Sequence, residues 1–145
     1  MTRDGYIGEA RSWLKPETAW VHQASCKGVG ADCIGFLAGV AAACGSADAK
    51  RFLATPGWRN YSRHPDPDFL FSVCDELMDP VPVSEATVAD TLVFYCGNRH
   101  PMHFGTLAGD TMLHSWRVAG RVCEHRIDLS WRERIVRAYR VRGMA

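Results

Sequence analysis

At 145 residues, 47% of them hydrophobic and 23% charged, the chain suits a single compact domain over residues 1–145 and is too apolar to be disordered. Seventeen Lys and Arg against sixteen Asp and Glu leave a net charge of +1, too balanced for a general polyanion binder, so nucleic acid is not an expected partner. No apolar run reaches membrane-spanning length and residues 1–13 hold no signal-peptide core, so synthesis in the cytoplasm without membrane attachment is expected.

From Asp4, the residues Ile7, Ala10 and Trp13 or Leu14 recur at helical spacing until Lys15-Pro16, which predicts a short amphipathic helix. Residues 15–31 set Pro16, Gly28 and Gly30 among Trp20, His22 and Gln23, and read as an irregular loop richer in aromatic and polar groups than a connector needs. Asp32 is placed as an N-cap. Residues 33–44 are apolar nearly all round, with Gly45 positioned to end a buried central helix. Residues 46–67, broken by Pro56, Gly57, Pro65 and Pro67, read as a long surface excursion. Asp68 to Met78 offers Phe69, Leu70, Val73 and Leu77 as another helix, closed by Pro80 and Pro82. Short β-type runs follow at Thr91 to Cys96, Met102 to Ala108, Thr111 to Trp116, Val118 to Cys123 and Val136 to Val141. Gly97-Asn98, Gly109-Asp110 and Ala119-Gly120 are the turn signals between them. Helices first and a meander afterwards predict an α+β fold with an antiparallel sheet.

The six cysteines are dispersed in a chain large enough to build a core, so free thiols, mostly buried, are expected rather than a disulfide framework. Cys33 stands apart. It falls in the first turn of the buried helix, where unpaired N–H groups and the helix dipole favour a thiolate and could also stabilise an oxyanion. Taken alone it is more simply one more core cysteine. His103 changes the balance: it shares a strand face with Gly105 and Leu107, and the small Gly105 leaves room for another element beside the imidazole. His114 follows on the next strand across the Gly109-Asp110 turn, where a hairpin can set it beside His103 to orient the ring and fix its tautomer.

These pieces resemble the NlpC-type cell-wall cysteine peptidases, which have a papain-like fold, and in particular their short phage-tail-associated members. The matching segments are Trp20 to Gln23, Gly28 to Phe36 with its Asp32-Cys33-Ile34-Gly35 helix start, Ala89 to Phe94, His103 to Leu107 and Leu113 to Ser115. The resemblance implies a buried N-terminal helix carrying the cysteine, packed on a C-terminal antiparallel sheet. It implies Cys33 as nucleophile, His103 as general base and acid, and His114 as the polar third residue, with no cofactor and no metal. Trp20, His22 and Asp32 are candidates for substrate binding or oxyanion support.

The chain departs from the family pattern in three places. Trp20 is the nearest match to a loop tyrosine, Ile34 stands where serine is common, and Ala89 replaces a glycine. Two further signals rank lower. Cys96, His100, Cys123 and His125 have zinc-ligand chemistry without a known spacing, and His64 reads as a loop histidine. Eight of the fourteen arginines follow residue 116; a solvated face with Glu124, Asp128 and Glu133 as partners is the simpler reading, and a docking face for a tail protein the other. Trp116 and Trp131 read as core or docking residues. The expected activity is cleavage of amide bonds in peptidoglycan stem peptides by a protein carried on a phage particle. The alternatives are an inactive tail-assembly protein of the same fold and an amidase or acyltransferase on another substrate.

Overall fold

The structure, a computed structural model, describes residues 1–63, 66–95 and 102–145, with the backbone alone at residue 102. The sites suggested at His64, Cys96 and His100, and the Gly97-Asn98 turn, lie outside the described residues. Thr2 caps α1 (Arg3–Arg11), which buries Tyr6, Ile7 and Ala10. The next stretch is more ordered than its composition suggests: β1 (Ala19–Trp20), β2 (Ser25–Cys26) and β3 (Gly30–Ala31) extend one end of the sheet.

Asp32 caps α2 (Cys33–Ala43), in which Ile34, Phe36, Leu37, Val40 and Ala41 are all buried, as expected of a helix without a polar stripe. Gly45 ends it with φ of 96°. Ser46 then donates its N–H to the Ala41 carbonyl at 2.9 Å and caps α3 (Ala47–Ala54) with its side chain. The predicted surface excursion is therefore a helix in its first part, because the prolines that break the pattern come only after residue 55. Its far part is not all surface either, since Trp58 is buried. Asp66 caps α4 (Pro67–Leu77), and the chain runs directly into β4 (Met78–Val81) rather than stopping at Pro80. Proline is tolerated there because β4 is an edge strand.

After a 3₁₀ turn at Val83–Glu85 come β5 (Thr91–Tyr95), β6 (Met102–Leu107), β7 (Thr111–Trp116), β8 (Arg121–Arg126), the one-turn helix α5 (Leu129–Arg132) and β9 (Ile135–Val141). β8 starts three residues later than predicted: Gly120, with φ of 74°, closes a turn onto Trp116 and leaves Val118 exposed at its tip. Among the described residues the strand order is β2-β3-β1-β8-β7-β6-β5-β9-β4, antiparallel except for β1 with β3.

Strand alternation divides the core in two. Val93, Phe104, Leu113, Val122 and Tyr139 pack with the helices, around α2. Leu92, Phe94, Met112 and Ala138 face the other way and are covered by Ile127 and Trp131 around α5. Each large apolar side chain so buried contributes about 1.5–3 kcal/mol.

The arginine-rich end makes mostly internal contacts, with other partners than expected. Asp90, fully buried, receives Arg140 in two hydrogen bonds of 2.9 and 2.8 Å and Arg3 at 3.3 Å. Arg142 binds Asp48 and Asp79 and reaches the carbonyls of Asp75, Glu76 and Met78 at the end of α4. Glu124 pairs with Arg11 instead of a nearby arginine, and Asp128 is used as the N-cap of α5. No helix among the described residues is long and apolar enough to cross a membrane.

Candidate functional site

Cys33 is the first residue of α2 and is half-buried. The carboxylate of Asp32 before it ties that helix start to its surroundings: one oxygen accepts from Gly35 N at 2.8 Å, the other from Gln23 N at 2.7 Å and from the Tyr61 hydroxyl. Gly35 has to be glycine here, because a Cβ would lie 1.8 Å from the Ala24 carbonyl oxygen. Behind the same loop, Ser25 donates to the Gly35 carbonyl at 2.7 Å.

Tyr61, from the segment read as an excursion, is a member of this site that the sequence analysis missed. Burial first, then the Asp32 carboxylate and Cys33, push its phenol well above the ordinary value, so it stays a donor. Its carbonyl accepts from Gln23 Nε2 at 2.6 Å and from His22 Nε2 at 3.1 Å, and His22 stacks on Trp20 at 6.3 Å. Trp20 and His22 thus join Asp32 and Tyr61 in one cluster beside Cys33. The large aromatic Trp58, which the structure buries, is the one sequence signal that could have marked residues 58–61 as folding back, and nothing in spacing links them to residue 32.

His103 and His114 meet as the hairpin argument required: Nε2 of His103 lies 2.5 Å from Nδ1 of His114, and both are buried. Gly105, however, makes room for the sheet's own side chains, since a Cβ there would lie 3.2 Å from Phe94 and 3.3 Å from the Met112 sulfur. Burial, with His125 nearby, pushes the His103 imidazole down to about 4. Burial, with His103 and His125 beside it, pushes His114 down to about 2. Both rings are therefore neutral near pH 7, and a neutral imidazole can accept a proton. Trp131 and Trp116 wall in His114 at 5.5 Å each, Trp131 from a buried core position and Trp116 half-buried at its margin.

The helix of Cys33 packs against β6 and β7, the strands of the two histidines, but alternation along those strands sets His103 and His114 on the face of Met112 and Trp131, opposite Phe104 and Leu113, which pack with α2. On the α2 face of β7, next to His114 in sequence, the Ser115 hydroxyl donates to the Ala31 carbonyl at 2.6 Å and ties the strand to the start of α2. His125 extends the histidine pair, its Nε2 lying 2.7 Å from Nε2 of His114. Among the described residues, His114, Cys123 and His125 bring three potential metal-ligand atoms within 4.8 Å of one another. Thiolate and imidazole donors suit zinc, but a metal would have to break the hydrogen bond between the two rings.

Of the described cysteines, Cys74 alone is fully buried, which corrects the expectation for most of them. Burial nevertheless pushes up the thiols of Cys74, to about 12, and of Cys44 and Cys123.

No protein-family model matches the sequence, and no curated protein does. Solved structures do. The NlpC/p60 domain of the peptidoglycan hydrolase SagA superposes with a TM-score of 0.60 at 17% identity, over 96% of this chain and 98% of that one. An NlpC/p60 family protein from Bacillus cereus ATCC 10987 gives 0.63 at 18% identity over 96% of this chain. A protein similar to lipoprotein of the NLP/P60 family, from Staphylococcus aureus subsp. aureus Mu50, gives 0.59 at 14% over 95%. The chain spans 40% and 41% of the last two proteins. The likeness covers nearly the whole of this chain, whose fold is that of the NlpC/p60 domains.

Proposed function

We propose that the protein is a cysteine peptidase that hydrolyses amide bonds in peptidoglycan stem peptides, with Cys33 as nucleophile, His103 as base and acid, and His114 orienting His103. The observation that carries this reading is the buried, neutral His103–His114 pair on strands packed against the helix that begins at Cys33. His103 takes the thiol proton as Sγ attacks the amide carbonyl, while first-turn amides of α2 stabilise the oxyanion. The C–N bond breaks and the leaving amine takes the proton from His103, leaving a thioester. Water then attacks the thioester carbon and gives a proton to His103; the C–S bond breaks and the thiol is restored. SagA, a peptidoglycan hydrolase with the same fold, supports the choice of substrate.

Digestion of defined muropeptides, read by mass spectrometry, tests the proposal. The wild type should release cleaved stem peptides and Cys33→Ala should not. An electrophilic thiol reagent near pH 6 separates the inactive alternative: one cysteine of the six, Cys33, should label much faster than the rest, including the exposed Cys26 and Cys44, Cys74 and Cys123, whose thiols burial holds protonated. Uniform slow labelling would count against an enzyme. We also place its action on a phage or phage-like particle, as the resemblance to short tail-associated members suggests. Purified particles should then contain the protein, and finding it only free in the cytosol would remove this part of the reading.

A further inference from the structure

The third histidine gives the pair a direction. A backbone carbonyl can only accept a hydrogen bond, and Nδ1 of His125 lies 2.8 Å from the Arg126 carbonyl oxygen, so Nδ1 of His125 carries that ring's proton. With one proton on that ring its Nε2 is a lone pair, and the 2.7 Å contact then has His114 donating from its own Nε2. A neutral His114 has no second proton. Its Nδ1 must accept at 2.5 Å from Nε2 of His103. The remaining nitrogen of His103, Nδ1, is left unprotonated.

We infer that His125 is a positioning residue: anchored on the Arg126 carbonyl, it sets the tautomer of His114 and through it that of His103, so that Nδ1 of His103 is the basic nitrogen. Burial keeps His103 and His114 neutral, and only neutral rings transmit a donor direction in this way. The β7–β8 register makes the chain of rings feasible. His114 pairs with Cys123, and His125 lies two residues further along the same strand face, within diagonal reach of the His114 ring. If His125 were absent, His114 would have no acceptor for its Nε2 proton. Both rings could then reverse, placing the proton of His103 on the nitrogen that must accept one. The consequence for catalysis rests on the peptidase reading above; the direction of the hydrogen-bond chain does not.

Two measurements keep these apart. Long-range ¹H–¹⁵N spectra of the histidine rings near pH 7 should show the wild type protonated at Nε2 of His103, Nε2 of His114 and Nδ1 of His125. His125→Ala should convert His103 into a mixture of tautomers. His103 protonated at Nδ1 in the wild type, or an unchanged tautomer in His125→Ala, would overturn the inference whether or not the protein turns over muropeptides. In the kinetic arm, His125→Ala should lower kcat by about tenfold or more with KM and the circular dichroism spectrum unchanged, as loss of a ring-orienting partner does. His125→Gln, whose side-chain oxygen can accept from His114, should restore most of it. Equal losses in the two variants, or none in His125→Ala, would also overturn the inference. Absence of turnover in the wild type would instead count against the peptidase reading, with the spectra still deciding the role of His125.

Discussion

His103 and His114 touch each other but are asked for different things. On the proposed mechanism His103 exchanges a proton, whereas His114 need only accept a hydrogen bond from it, so His103→Ala should abolish muropeptide turnover while His114→Gln retains a measurable fraction. Full turnover by His103→Ala would remove it from the chemistry. Ala89 poses a different question at the same scale. It stands where the NlpC-type pattern that the sequence resembles has a glycine, yet its backbone keeps a φ of 72°, a region that costs a residue with a Cβ about 1–2 kcal/mol. Ala89→Gly relieves that cost and loses about 0.5–1 kcal/mol to the more flexible unfolded chain. Urea unfolding should therefore find Ala89→Gly as stable as the wild type or up to about 1.5 kcal/mol more stable. A loss of more than about 1 kcal/mol would show the strain argument to be misplaced.

At the scale of elements, the start of α2 is built by close approach. Its first turn lies against the backbone of residues 24–25, and Asp32 pins the same loop through Gln23 and Tyr61. Gly35→Ala would drive a methyl group into the Ala24 carbonyl, which is backbone and cannot rotate away. We expect a loss of about 3 kcal/mol in chemical unfolding, at the upper end of ordinary overpacking, together with loss of turnover because Cys33 moves with that turn. Wild-type stability in Gly35→Ala would contradict the packing. The glycine of the Asp-Cys-x-Gly pattern was legible in sequence as a motif; its reason became visible only with residues 24 and 25 placed against it.

For the molecule as a whole, the two buried histidines set a pH dependence. Their folded pKa values, about 4 and about 2, lie below the ordinary imidazole value of 6.5, so between these limits the unfolded chain binds protons that the folded chain does not. Stability therefore falls as pH drops below about 6.5, by about 2 kcal/mol per histidine at pH 5. The carboxylates of Asp48, Asp90 and Glu124 do not blur this window. Arg142 lowers Asp48, Arg140 and Arg3 outweigh the burial that would raise Asp90, and Arg11 lowers Glu124. Their stabilising charge is lost only in a more acidic range. Urea midpoints at pH 7 and pH 5 should differ clearly in the wild type and much less in a His103→Gln, His114→Gln double variant. Equal wild-type midpoints would mean that the rings are not held neutral by burial.

The sequence by itself determined what depends on neighbours along the chain: the all-round apolar α2 with Cys33 at its start, the Asp32 cap, the Gly45 stop, and a hairpin tight enough to bring His114 to His103. Those are matters of periodicity, capping and turn length, which act over a few residues. The partnership of Tyr61 with Asp32 crosses 29 positions and leaves no trace in spacing. α3 was hidden by prolines that lie beyond its end. The Ala119-Gly120 turn falls where composition put it, but the start of β8 after it, at Arg121 and not Val118, was decided by that turn's closure onto Trp116, and the resulting register puts His125 beside His114. Only the tertiary structure could decide these, because each depends on which distant surfaces are buried against one another, and burial is a property of the folded whole.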